Sequence, residues 1–167
     1  MKTIAIYPGT FNNFHVGHYN ILTKAEKIFD EVIIAVGNNP SKTKDGIFTI
    51  VNGSVEIVKD KEPFEVIGDF LSNRTVEGYS GYLTDYLKEK IAENPDTNFV
   101  IIRGLRNGHD LDYEVNQLRV MEDMMYDGLN VVFIPCDREF EHVSSTMCRQ
   151  MESIRKNTSL SYYPTIR

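Results

Sequence analysis

Short runs of apolar residues alternate along this chain with longer segments whose apolar residues recur every three or four positions. The short runs predict buried strands, at residues 3–7, 31–36, 98–102 and 130–134, with a further short strand at 75–77. The periodic segments predict amphipathic helices, at residues 17–30, 79–91, 110–126 and 145–156. Strands that alternate with helices predict an α/β fold with a doubly wound parallel sheet.

The middle of the chain breaks this alternation. Residues 48–58 alternate apolar and polar positions around Asn52-Gly53, a dipeptide typical of a tight β-hairpin turn. Residues 63–71 predict a short helix, and residues 37–44 predict a loop. We therefore expect one domain over residues 1–167 with an atypical, hairpin-containing insertion around residues 46–72.

Composition excludes several classes of protein. A length of 167 residues fits one domain, and the formal net charge of −6 argues against general nucleic-acid binding, which needs a basic face. No segment predicts a signal peptide or a membrane span. Cys136 and Cys148 form no CxxC pair, so we expect reduced thiols in a cytoplasmic protein.

The first candidate site is GTFNNFHVGH, residues 9–18, between a predicted strand and a predicted helix. In parallel α/β sheets, ligands bind beyond the carboxyl ends of the strands. The helix start offers free N–H groups that suit phosphate, and Gly9 and Gly17 allow a close backbone approach. His15 and His18 are best interpreted as phosphate ligands, acting as donors or cations. A metal site is less well supported, because His109 and His142 complete no zinc motif.

The second candidate site is IIRGLRNGHDLDYE, residues 101–114. Arg103 and Arg106 follow a buried strand directly, so they should reach the same sheet edge as the histidines and bind phosphate oxygens. Asp110 and Asp112 open the next helix, where we expect them to stabilise its dipole. The role of Glu114 stays open between orienting an arginine and accepting a hydrogen bond from a ligand.

Two further segments reach the same edge of the sheet. Ser144, Ser145 and Thr146 open a predicted helix, which Ser144 would cap, and their hydroxyls could also donate to phosphate. Lys42 or Lys44 could reach an anion there. We find no Ser/His/Asp triad and no pair of buried carboxylates. The four segments together predict a polyphosphate site that promotes phosphoryl or nucleotidyl transfer by alignment and charge stabilisation.

Together these motifs resemble the nucleotidylyltransferases that carry (H/T)xGH, and among them the phosphopantetheine adenylyltransferase family. The similarity is carried by YPGTF at residues 7–11, His18, NPSK at 39–42 and above all RGLRNGHDLDYE at 103–114. It implies a Rossmann-like domain that transfers AMP from ATP, with Mg²⁺, to 4′-phosphopantetheine. The products are dephospho-coenzyme A and pyrophosphate. The resemblance also implies a homo-oligomer, typically a hexamer, with coenzyme A as a possible feedback ligand.

The resemblance also implies roles for individual residues. His18, Lys42 and Arg103 would be catalytic, with His18 stabilising the transition state at the α-phosphate. The acceptor would be held by Thr10, Lys42, Leu83 and Arg103, with Leu83 on the pantetheine arm. The ATP site would comprise Thr10, Phe11, His15, His18, Gly104, Leu105, Arg106, Glu114, Phe140, Val143, Ser144, Ser145 and Thr146.

Two alternatives remain open. HVGH and SSTMCR are similar to nicotinamide mononucleotide adenylyltransferases, and Asn12-Asn13 stands where the phosphopantetheine enzymes usually have Asp-Pro. The acceptor could therefore be nicotinamide mononucleotide or another phosphorylated molecule. A non-catalytic nucleotide sensor on the same fold is the third hypothesis. The joint retention of His18, Lys42, Arg103 and Arg106 argues against it.

Overall fold

The computed structural model describes residues 1–125 and 128–167. Within them, five parallel strands form a central sheet in the order β5-β2-β1-β6-β7. The strands are β1 Lys2–Gly9, β2 Glu31–Gly37, β5 Thr75–Tyr79, β6 Thr97–Leu105 and β7 Val131–Pro135. The helices are α1 Val16–Glu26, α2 Pro40–Thr43, α3 Pro63–Phe70, α4 Leu83–Glu93, α5 Gly108–Met124 and α6 Ser145–Ile154.

Both faces of the sheet are covered. Successive residues of a strand point to opposite faces, and β1 shows this directly. Ala5 and Tyr7 pack with α1 and α3 on one face, whereas Ile4 and Ile6 pack with Leu87 of α4 on the other. The chain leaves β1 towards β2 and leaves β6 towards β7, although β1 and β6 are neighbours. The predicted Rossmann-like, doubly wound parallel sheet is confirmed, with its switch point between β1 and β6.

The middle segment forms the predicted hairpin, apart from the central sheet. Strands β3 Ile47–Val51 and β4 Ser54–Val58 pair antiparallel, and their turn residues Asn52 and Gly53 have φ of 52° and 77°. Two successive positive φ values are those of a type I′ turn, which matches the twist of the strands. The hairpin is attached to the loop after β1, because Phe48 N–H donates to Asn12 O at 2.8 Å.

The C-terminal segment fastens this hairpin to the main body. Asn157 Oδ1 accepts from Val55 N at 2.8 Å and from Ser54 Oγ at 3.2 Å, and Lys156 pairs with Glu56 at 2.9 Å. Nearer the C-terminus, Ile166 packs against the core beside α1. The insertion is therefore held along the first three residues of β4 as well as by the loop after β1.

Several predicted boundaries were wrong. The helix expected over residues 17–30 ends at Glu26, and the one expected over 79–91 begins at Leu83, because Tyr79 completes β5 and Gly81 has a φ of 78°. The loop expected at 37–44 contains α2, capped by Asn39. The helix expected from 110 begins at Gly108, and its expected end near Tyr126 lies outside the described residues.

The helix expected over residues 145–156 ends at Ile154, and its predicted cap is confirmed by a bond from Met147 N to Ser144 Oγ at 3.1 Å. Both cysteines are free thiols, with Cys148 buried. Across the described residues, no helix has the length and apolarity needed to cross a membrane.

Candidate active site

A cavity of about 540 Å³ opens at the carboxyl ends of β1 and β6. It lies where the strand order reverses, which is where ligands bind in open α/β sheets. Nearly all the predicted site residues line it, namely Thr10, Phe11, His15, His18, Lys42, Arg103, Gly104, Leu105, Arg106, Glu114, Phe140, Val143, Ser144, Ser145 and Thr146. Leu83 does not line the cavity; it packs beneath the sheet with the core around α4.

The two histidines of HVGH cap helix α1 and fix each other. His15 Nδ1 accepts from Gly17 N at 3.0 Å and from His18 N at 3.4 Å, while His15 N donates to His18 Nδ1 at 3.2 Å. Their rings stack with centroids 3.7 Å apart. This reciprocal cap satisfies backbone N–H groups that a helix start otherwise leaves unpaired.

Gly17 makes this arrangement possible. A Cβ at this position would lie 2.8 Å from Cε1 of the His15 ring, closer than the ring allows. Any side chain would therefore push the His15 ring away from the helix start. Gly17 therefore leaves room for the His15 ring. The sequence alone predicts a different role, that Gly17 lets the backbone approach a ligand.

Both imidazoles are neutral. Burial, followed by the positive charge of Arg106, lowers the pKa of His15 to about 4. Burial, His15 and Arg106 also lower the pKa of His18 well below its ordinary value. Of the two roles expected for these histidines, the lowered pKa values favour the neutral donor over the cation. Because the Nδ1 atoms of both rings accept hydrogen bonds, the proton of each neutral ring is on Nε2, so each ring offers one N–H donor.

Aromatic rings surround His18 and hold its orientation. Its ring meets Phe11 edge-on at 5.1 Å and Phe14 at 5.3 Å. Phe11 is buried at a φ of 45°, a backbone conformation that bulky residues rarely adopt. Gly9 faces this ring, since a Cβ there would lie 2.8 Å from it. The loop after β1 is thus shaped around the Phe11 side chain and the histidine beside it.

Each cavity arginine is held by a carboxylate from α5. Glu114 binds Arg103 through both oxygens, Nε to Oε2 at 2.6 Å and Nη2 to Oε1 at 2.8 Å. This geometry favours the first of the two roles left open for Glu114, orienting an arginine. Asp110 accepts from the backbone N of Arg106 at 2.8 Å and from its Nε at 3.0 Å. The role of Asp110 therefore extends beyond the helix dipole.

The remaining cationic and hydroxyl groups come from α2 and α6. Lys42 is exposed on α2 at one side of the cavity, and it forms no ion pair with any residue that the structure describes. The hydroxyls at the start of α6 face the other side, with Ser144 already used as the cap. An anionic ligand would thus meet donors on several sides.

Sequence reasoning missed several cavity residues, among them Tyr7, Tyr79, Tyr113, Asp110 and Cys136. A signal existed for some of them. Tyr7 and Tyr79 stand near the carboxyl ends of their strands, the edge where the site was expected, and Asp110 follows Arg106 at the i,i+4 spacing of a helical ion pair. Cys136 follows β7 directly, and the sequence predicts nothing for it beyond a reduced thiol.

Comparison with known proteins agrees with this geometry. The family model described as cytidylyltransferase-like matches residues 6–151. Curated relatives named phosphopantetheine adenylyltransferase include one from Haemophilus ducreyi, 33% identical over 90% of this chain and 84% of its own length. Another, from Clostridium novyi, is 34% identical over 89% of this chain and 82% of its own length. The chain belongs to the phosphopantetheine adenylyltransferases of the cytidylyltransferase-like family.

Solved structures support the fold of this family. A proposed nicotinate-nucleotide adenylyltransferase from Vibrio parahaemolyticus aligns with a TM-score of 0.59 at 15% identity, covering 96% of this chain and 90% of the other. The nicotinic acid mononucleotide adenylyltransferase of Plasmodium falciparum, complexed with APC, aligns with a TM-score of 0.57 at 13% identity, covering 90% and 84%. At this identity, the likeness concerns the fold alone.

Proposed function

We propose that this enzyme transfers AMP from ATP to 4′-phosphopantetheine, yielding dephospho-coenzyme A and pyrophosphate in coenzyme A biosynthesis. The observation that carries the proposal is one cavity at the sheet's switch point, lined by His18, Arg103, Arg106, Lys42 and Thr10. The names of the curated relatives support this choice of acceptor. We further propose that residues 1–167 form one nucleotidyltransferase domain.

The reaction needs alignment more than acid-base catalysis. An oxygen of the acceptor's phosphate attacks the α-phosphorus of ATP, and the bond to the bridging oxygen of the β-phosphate breaks, which releases pyrophosphate. A phosphate monoester is largely a dianion near neutral pH, so the nucleophile carries no proton that must be removed. The protein therefore has to position two anions and stabilise the charge that develops at the α-phosphate.

His18 is proposed to stabilise that charge. Its ring is held on one side by the His15 stack and on others by Phe11 and Phe14, so the Nε2–H is oriented before substrate arrives. A neutral N–H donor in a partly buried site strengthens as negative charge grows on the phosphate oxygen. This orientation needs no rearrangement at the moment of reaction.

The cations are proposed to divide between the two substrates. Arg103 and Lys42, with the Thr10 hydroxyl, would hold the acceptor's phosphate, while Arg106 and the donors at the start of α6 would hold ATP. Phe11, Gly104, Leu105, Phe140 and Val143 would line the nucleotide. Leu83 lies outside the cavity, so its contact with the pantetheine arm remains a prediction from resemblance.

Mg²⁺ is proposed to enter as part of the ATP substrate. The carboxylates of Asp110 and Glu114 are both engaged by arginines. Among the described residues, no group of three or more His, Cys, Asp or Glu side chains is arranged as metal ligands. A metal ligated mainly by substrate phosphates and water fits this site, as is common for Mg²⁺.

We also propose a homo-oligomer, by resemblance a hexamer, acting in the cytoplasm with coenzyme A as a feedback ligand. Helix α5 supports the association, because none of its described residues is buried although it carries exposed apolar side chains. Leu111 is 39% exposed and Val120 is 58% exposed. Light scattering coupled to size-exclusion chromatography tests the assembly, and a monomer at micromolar concentration would contradict it.

A product assay tests the proposed reaction. The purified protein is incubated with Mg-ATP and either 4′-phosphopantetheine or nicotinamide mononucleotide, and the nucleotides are separated chromatographically. We expect dephospho-coenzyme A and no NAD. NAD alone would instead favour the nicotinamide mononucleotide enzyme, and neither product would favour a sensor or a third acceptor.

Replacement of His18 tests the proposed mechanism. We expect His18→Ala to lower kcat by about 100-fold or more, as the loss of a preorganised donor does, while the Kd for ATP changes only a few-fold. His109→Ala is the matched control, because this histidine is exposed on α5 outside the cavity. A fully active His18→Ala enzyme would rule out the assigned role.

A further inference from the structure

Tyr7 has no part in the function proposed so far. Its side chain is 5% exposed, and its ring meets Phe11 edge-on at 5.3 Å between centroids. It lines the same cavity as Thr10 and Arg103. In the part of the chain that the structure describes, the Tyr7 hydroxyl has no hydrogen-bond partner. The polar atom of a side chain as buried as this one normally has a partner.

The hydroxyl of Tyr7 opens into the cavity. Among the described residues, only one side-chain polar atom is both fully enclosed by protein and without a hydrogen-bond partner, and it is Asn13 Oδ1. The Tyr7 hydroxyl, which also lacks a partner, is therefore not enclosed by protein. Since the rest of the side chain is buried and the residue lines the cavity, the hydroxyl is open to the space that a ligand would occupy.

Tyr7 can only donate a hydrogen bond to an anion if it keeps its proton. Burial raises the pKa of its hydroxyl, and the opposing influence of Arg103 does not cancel this. The charged or titratable groups acting on it are Arg103, Cys136 and Glu114. Both carboxylate oxygens of Glu114 already bind Arg103. The cavity thus holds an unused O–H donor beside a positively charged guanidinium.

We propose that the Tyr7 hydroxyl donates a hydrogen bond to an oxygen of the phosphate group held by Arg103. The inference rests on the proposed function in so far as Arg103 binds the acceptor's phosphate. Arg103 supplies charge and a planar fork of donors, and Tyr7 adds a neutral donor from β1, the neighbouring strand. Tyr7 is then a binding residue for the phosphorylated acceptor.

The expected effect is on binding more than on turnover. A phosphate oxygen that does not attack keeps this hydrogen bond in the ground state and in the transition state. Loss of this hydrogen bond should therefore raise KM and leave kcat within about 3-fold of the native value. Hydrogen bonds to charged groups are worth enough that Tyr7→Phe should raise KM for 4′-phosphopantetheine by about 10- to 100-fold.

The test compares the native enzyme with Tyr7→Phe, which keeps the ring and its contact with Phe11. Tyr162→Phe is the control, because this tyrosine lies outside the cavity against His142. Equilibrium titration measures Kd for 4′-phosphopantetheine and for pantetheine, which lacks the phosphate. A titration with inorganic phosphate, followed by NMR, measures the same contact independently of the acceptor's identity.

We expect Tyr7→Phe to weaken binding of 4′-phosphopantetheine and of inorganic phosphate, with pantetheine and the Tyr162→Phe control unchanged. Unchanged affinity for both phosphorylated probes would overturn the inference. An equal loss for pantetheine would also overturn it, since the hydroxyl would then contact the arm. Absence of dephospho-coenzyme A with the native enzyme would overturn the proposed function alone, because the inorganic phosphate titration still decides the role of Tyr7.

Discussion

The neutral His15 at the start of α1 should make folding stability depend on pH in a way that one substitution removes. The folded-state pKa of His15 is about 4, because burial and Arg106 disfavour its charged form, whereas an unperturbed histidine titrates near 6.5. Above pH 6.5 the ring is neutral in both states, so it contributes no pH dependence. Between pH 6.5 and pH 4 the unfolded chain binds a proton at His15 that the folded protein does not. The free energy of unfolding therefore decreases as the pH is lowered through this range.

The size of this loss follows from the two pKa values. The linkage relation gives about 2 kcal/mol at pH 5 and about 3 kcal/mol below pH 4 from His15 alone. His18 should add to the loss, since its pKa is also lowered by burial. His15→Asn removes the His15 contribution and lessens that of His18, because His15 itself helps to lower the pKa of His18. The helix start should survive, because the amide oxygen of Asn can accept the same backbone N–H groups as an N-cap.

Urea denaturation followed by circular dichroism between pH 8 and pH 5 measures the effect. We expect the native protein to lose about 2 kcal/mol more than His15→Asn over this range. His109→Asn should behave like the native protein, because that histidine is exposed on α5. If the free energy of unfolding decreases equally in His15→Asn and in the native protein between pH 8 and pH 5, the inference that His15 is buried and neutral is refuted.

Two further predictions concern the arginine pair and the hairpin. Glu114→Gln should raise KM for the acceptor about 10-fold and destabilise the fold by about 1 kcal/mol, since it leaves the largely buried Arg103 without its bidentate partner. Glu122→Gln, in an exposed pair with Arg119, should change neither steady-state kinetics nor the urea midpoint. Asn157→Gly keeps the positive φ of 65° but removes the bonds to Ser54 and Val55, so it should cost about 1 kcal/mol in urea denaturation and speed hydrogen exchange of the Val55 amide. An unchanged exchange rate would show that the C-terminal segment does not hold the hairpin.

The fold was predictable because its signals are local. The buried strands of a parallel sheet are continuous apolar runs, which can be recognised one strand at a time. The turn of the separate hairpin is marked by just two residues, Asn52 and Gly53. Helix ends were harder, because tertiary contacts decide them. The apolar Phe29 continues the periodicity of α1, yet it packs on the core from the turn after the helix ends at Glu26. Similarly, Tyr79 continues the pattern of α4 backwards but belongs to β5.

The sequence predicted most of the charged residues that lie in the candidate site, but it did not predict the hydrogen bonds and ion pairs between them, here called partnerships. Sequence order placed Arg103 and Arg106 after one strand and the histidines after its neighbour, so the topology of a parallel sheet was enough to expect them together. It did not show that the carboxylate of Asp110 would hold Arg106, or that His15 and His18 would cap one helix reciprocally. Such partnerships depend on side-chain directions at the ångström scale, which spacing alone does not fix.

The partnerships explain how so many cations can share one cavity before an anion binds. Arg103 and Arg106 are neutralised in pairs by Glu114 and Asp110, and His15 stays uncharged because burial and Arg106 both oppose its protonation. Of the cavity cations, Lys42 is then the one that forms no ion pair with a described residue, and it stands on the exposed rim. The arginines are thus fixed in place by α5 while their outer N–H groups remain available. Because the donors are oriented in advance, binding a polyphosphate needs little reorganisation, which is the condition under which electrostatic stabilisation of a transition state is most effective.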